Sequence, residues 1–168
     1  MKKVSIIAVV ALVVVIPLLI FVFSGKCKSS IPLVQGLSWK STPKQTAQLL
    51  GEPLEEWLDT NVTGKNIYVY RANVLGHEAS VRVFFAKNKT LTDLYFTWEN
   101  CDEDFSDQVY ECIYSYCSKD KNFYVEESDY PPNYEKNISM GINNGATGIY
   151  YSIEQEGTTV RVICIHLF

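Results

Sequence analysis

The sequence predicts an α+β domain: a two-layer sandwich with one antiparallel sheet, built from two three-stranded meanders, and two helices on one face. Three observations predict it. Runs rich in β-branched and aromatic residues alternate apolar and polar positions, so each has one face to bury. Two other segments repeat apolar residues at helical spacing, and each has one stripe to cover. The order is helix, meander, helix, meander, at a spacing of about 60 residues that suggests a pseudo-repeat.

The chain opens with Lys2-Lys3 and then an almost unbroken apolar run, Val4 to Phe23. In a helix rising about 1.5 Å per residue, about twenty residues reach about 30 Å, the hydrocarbon thickness of a bilayer. An uncleaved signal anchor, a transmembrane helix, is therefore expected over residues 4–23, with a signal peptide cleaved after Val22-Phe23-Ser24 as the alternative. Lipidation at Cys27 is disfavoured, because Lys26 stands where a small residue is needed. Lys2, Lys3 and the α-amine outweigh Lys26 and Lys28, so the domain is expected to face outward from the cell membrane, or to be secreted if the leader is removed. The expected organisation is residues 1–25 as leader, 26–38 as linker and 39–168 as a single extracytoplasmic domain.

The first helix is announced by Thr42, Pro43 and Gln45: a cap, a first-turn proline and the far half of a capping box. Ala47 and Leu50 share a face, and Gly51 with Pro53 stops the helix. Leu54, Trp57 and Leu58 are expected to form a short turn packed on the sheet. Strands are expected over Ile67–Arg71, Ala79–Phe85 and Leu91–Trp98, with turns at Gly76 and at Ala86–Thr90. A second helix is expected from Phe105 to Ser118, with Phe105, Val109, Cys112, Ile113 and Tyr116 on its apolar side. Asp102, Glu103, Asp104 and Asp107 crowd its start, where they complement the helix dipole. They lack the glycine and the distal bidentate Glu of a calcium loop. Strands follow over Phe123–Glu126, Asn137–Ile142, Thr147–Glu154 and Thr158–Leu167, with a tight turn at Asn143-Asn144-Gly145.

Chemistry is sparse. The net charge of -4, without any basic stripe, excludes nucleic acid as the expected partner. None of the five cysteines has CxxC or Cys/His spacing, so no metal and no cofactor is expected. A disulfide remains an alternative in an outward-facing domain, but Cys112 and Cys164 read better as buried apolar thiols. Cys164 and His166 lie two apart on a strand, about 6 to 7 Å from each other and beyond hydrogen-bond reach. His77 reads as a turn residue. Sequons at Asn61, Asn88 and Asn137 matter only in a glycosylating pathway. No small-molecule ligand is evident. The surface feature that stands out is Tyr130-Pro131-Pro132-Asn133-Tyr134, where a stiff Pro-Pro carries Tyr130 and Tyr134 as candidate partner-binding residues.

Trp39-Lys40-Ser41-Thr42-Pro43-Lys44-Gln45 followed by Leu49-Leu50-Gly51-Glu52-Pro53 resembles a W-G-M-[ST]-x-x-[EQ] pattern ending in G-x-P. That pattern opens the small extracytoplasmic bacterial lipoproteins of the SmpA/OmlA type and the β-lactamase-inhibitor-like domains. Val74–Ala79 with Val81–Phe85 is similar to the family's next turn and strand, and Leu91–Phe96 continues it. The chain departs from the pattern at Lys40, where the family has Gly, and has no second G-x-P. The resemblance covers Trp39 to Trp98 and implies a scaffold that binds other proteins or the envelope, with no catalytic residue. The expected function is therefore a non-enzymatic envelope domain, protein-binding or structural, with an envelope protein as partner. The rival is a small thiol-dependent or hydrolytic enzyme using Cys117 or Cys164.

Overall fold

The computed structural model describes residues 30–59, 64–102, 104–127 and 136–167, all but Ser30 belonging to one compact unit, Ile31–Phe168. Helix α1 spans Pro43–Leu50 and helix α2 spans Phe105–Cys117. The strands are β1 (Glu55–Leu58), β2 (Asn66–Val74), β3 (His77–Phe85), β4 (Leu91–Trp98), β5 (Phe123–Glu127), β6 (Lys136–Asn143), β7 (Gly148–Glu156) and β8 (Thr159–Leu167). They form one antiparallel sheet in the order β1-β2-β3-β4-β8-β7-β6-β5.

The expected pair of three-stranded meanders under two helices is overturned. Each helix is followed by four strands, and β4 pairs with β8 over Asp93↔Ile165 to Trp98↔Val160, welding both halves into one eight-stranded sheet. The cover is not simply two helices either. The eight-residue α1 buries only Thr46 and Leu50, and much of the covering is done by an irregular strap before it, which buries Ile31, Leu33, Leu37 and Trp39.

Period-two alternation decides which side of the sheet is core. One aligned row reads Tyr70, Val81, Phe96, Val162, Ile153 and Ile138, and every member is buried. The 13-residue α2 lies on β6 and β7 and buries Phe105, Val109, Ile113 and Cys117, so Cys117 takes the place expected of the half-buried Tyr116. Phe105 meets the Trp98 ring edge-on with centroids 5.4 Å apart.

Local rules place the ends. In α1, Gln45 N–H donates to Thr42 Oγ1 at 3.3 Å while Thr42 N–H donates to Gln45 Oε1 at 2.9 Å, completing the capping box. Between β2 and β3, Leu75 and Gly76 both have positive φ, 56° and 85°, the pair that a two-residue primed turn requires.

Among the described residues no helix is long and apolar enough to cross a membrane. The expectation of a membrane-spanning helix is corrected accordingly; residues 4–23, on which it fell, lie outside the described residues, as does Cys27.

Candidate functional site

Leu54, Trp57 and Leu58 were expected to form a short turn packed on the sheet. They form an exposed corner instead. Pro53 ends the path from α1, and Glu55–Leu58 pair with β2 as the outermost strand, Trp57 opposite Ile67. Its four residues are exposed on both sides. The large apolar side chains left in solvent concentrate here: Leu49 is 44% exposed, Leu54 62%, Trp57 40% and Leu58 50%. Elsewhere among the described residues only Tyr114, Val125 and Leu167 are comparable, and they are scattered. Four such residues gathered within ten positions of the chain need a reason, whereas single exposed ones do not.

The corner is acidic as well as apolar. Glu52, Glu55, Glu56 and Asp59 fall within it, and no Lys or Arg does. The field of these groups is felt by the tyrosines of β2. Burial, then the hydrogen-bonded Glu56 carboxylate, raises the Tyr68 phenol above its ordinary range. Tyr70 is pushed up to about 12 by burial, then by Tyr68, Glu56 and Glu52. Glu52 and Glu56 therefore converge on the same side of β2.

Trp57 also begins a row across the open side of the sheet. The aligned residues are Trp57, Ile67, Phe84, Asp93, Ile165, Tyr150, Gly141 and Tyr124. Phe84 tilts against Tyr95 with centroids 4.7 Å apart, Lys65 pairs with Asp93, and Ser139 and Tyr150 hydroxyls hydrogen-bond at 2.7 Å. In this row Trp57 is exposed, Ile67, Asp93 and Gly141 are buried and the others are half-buried, the mixed pattern of a partly solvated sheet face. A shallow cleft of about 300 Å³ on this face has Arg82 and Arg161 at its sides and Tyr95 in its floor. Arg161 is paired with Glu156 at 3.1 Å.

The residues weighed for catalysis do not converge. Cys164 is fully buried opposite Tyr151, and burial, then Cys117, holds its thiol well above its ordinary value. The Cys117 thiol is pushed up to about 12 by burial and then by Asp120. A nucleophilic thiol needs the opposite shift. His166 points to the strap and stacks on Trp39 at 5.2 Å, and His77 opens β3 with its ring 4.3 Å from that of Phe105. Cys101, Cys112, Cys117 and Cys164 are free thiols. Among the described residues no group of three or more His, Cys, Asp or Glu is arranged to hold a metal ion. At the start of α2, Asp104 makes no side-chain cap bond, and Asp107 pairs with Lys136.

Tyr130, Pro131, Pro132 and Tyr134 lie outside the described residues. The sequence places Trp57 in a turn packed on the sheet because its exposure is a tertiary fact; the local signal for an exposed corner was Pro53 followed by two acids and two large apolar residues. Comparisons with family models, with curated proteins and with solved structures find no match to this chain.

Proposed function

We propose that the chain is a non-enzymatic binding domain working outside the cytoplasm, and that it meets a protein partner at the corner formed by the end of α1 and β1. The observation that carries this reading is the gathering of Leu49, Leu54, Trp57 and Leu58 in solvent within ten residues, Leu49 to Leu58. Trp with a rim of charged groups is the composition of an interface centre rather than of ordinary surface. The extracytoplasmic setting is supported by the apolar run behind Lys2-Lys3, and the scaffold reading by the Trp39–Pro53 resemblance to small envelope proteins. The non-enzymatic reading draws support from the raised thiols of Cys117 and Cys164.

The test is position-specific crosslinking in the source cell. A photoreactive side chain at position 54 or 58 of the full chain is expected to give one discrete protein adduct. The same group at Ala146, exposed in the turn between β6 and β7, is expected to give none. Adducts that are absent, or equal at the three positions, would remove the corner as the binding site.

A further inference from the structure

The apolar corner is also a bare sheet edge. β1 pairs with β2 on one side, and among the described residues no strand pairs with its other side. Asp59 N–H donates to Lys65 C=O at 2.9 Å, one rung beyond the aligned pair Leu58↔Asn66. Antiparallel ladders alternate hydrogen-bonded and non-bonded pairs, so Trp57↔Ile67 and Glu55↔Val69 are the bonded ones. The N–H and C=O groups of Glu56 and Leu58 therefore point away from the sheet. Side chains alternate too, with Glu55 and Trp57 on the open side and Glu56 and Leu58 on the other. Each side of the edge thus presents one carboxylate and one large apolar group.

We infer that β1 accepts a strand from another protein by edge addition, and that this strand carries two adjacent basic residues next to two adjacent apolar ones. Antiparallel to β1 it reads apolar, apolar, basic, basic. The inference rests on the corner being a binding surface, and it adds the mode of binding and the class of partner. Outward backbone groups supply the hydrogen bonds of strand addition, and the side chains supply the selection. Opposite charges across a strand pair stabilise it and like charges oppose it. That rule weighs against a second copy of this chain. Pairing β1 with itself about a two-fold centred on Glu56 sets Glu56 against Glu56; centring it on Trp57 sets Glu55 against Asp59.

The experiment titrates the full chain with a capped hexapeptide of sequence Thr-Val-Val-Lys-Lys-Thr and with its Thr-Val-Val-Glu-Glu-Thr counterpart, following amide exchange by NMR. The lysine peptide is expected to bind saturably and at least tenfold more tightly than the glutamate one. It should slow exchange at Glu56 and Leu58 by about tenfold or more. Glu56→Pro removes an outward donor while leaving the backbone bonds to β2 in place, and it should weaken binding at least tenfold and more than Glu56→Gln, which deletes the charge alone; Trp57→Ala should also weaken it at least tenfold. Should Glu56→Pro fail to fold, the double reversal Glu55→Lys, Glu56→Lys is expected to invert the peptide preference. If Glu56→Pro binds like the parent while Trp57→Ala does not, strand addition is wrong and the binding corner survives. Equal affinity for the two peptides, no binding of either, protection at Tyr124 and Glu126 of the opposite edge, or a dimer that Glu56→Pro dissociates would each overturn the inference.

Discussion

Gly141 has no room for a methyl group. A Cβ there would sit 2.2 Å from Ile149 O and 3.2 Å from the Tyr124 hydroxyl. The first neighbour is backbone and the second closes over the glycine, so Gly141→Ala must push β6 from β7. A cost of about 1 to 3 kcal/mol is expected, read as a lower urea midpoint. His166 carries a pH dependence. Burial holds its imidazole below the ordinary 6.5. The unfolded chain then binds a proton that the folded chain refuses, so this contribution is whole above about pH 6.5 and is lost as pH falls below it. The drop in urea midpoint between pH 7.5 and 5 should shrink in His166→Gln; an unchanged drop would show that this imidazole is not responsible. The residue pair Cys164 and His166 was legible in the sequence as two side chains on one strand side. Their separate neighbours, Tyr151 for one and Trp39 for the other, come from distant segments and were not.

At the scale of elements, the two helices test different physics. Ile113 is fully buried on α2, and Ile113→Ala should cost about 2 to 5 kcal/mol through the cavity it leaves. Urea unfolding no easier than the parent's would remove α2 from the core. The α1 helix is short and marginal by itself, so Thr42→Ala, which deletes half the capping box, should cost about 0.5 to 2 kcal/mol. Both helices were readable because their signals are local: a cap, a stop and a stripe. So were β3, whose alternation is clean, and β4, which alternates from Leu94 to Trp98. β1 was not. A strand exposed on both sides has no apolar period to announce it, and Glu55-Glu56-Trp57-Leu58 reads equally as a turn. The exposed corner was missed for the same reason.

At the scale of the molecule, sequence order concealed the seam. Val160 to Leu167 is apolar at six of its eight positions and buries Val160, Val162 and Cys164 on one side. That run forms β8, and it lies between β4 and β7 rather than at a rim. The aligned pairs across the seam, Leu94↔Cys164 and Phe96↔Val162, are all buried, so one core serves both halves. Val83→Ala in one half and Ile153→Ala in the other should therefore shift a single urea transition, seen alike by circular dichroism and tryptophan fluorescence. Two transitions, each moved by one substitution only, would show that the halves melt apart.

The place of β8 also sets a schedule. It is the last strand in chain order, yet it occupies the middle of the sheet. During synthesis β4 and β7, eight and nine residues long, must wait with their inner edges bare until β8 emerges to seal both in one step. Assembly is thus late and dominated by distant pairings, a slow route in which the exposed edges invite wrong partners. A nascent chain of this design stays unfinished, and still threadable through a narrow conduit, until β8 has emerged.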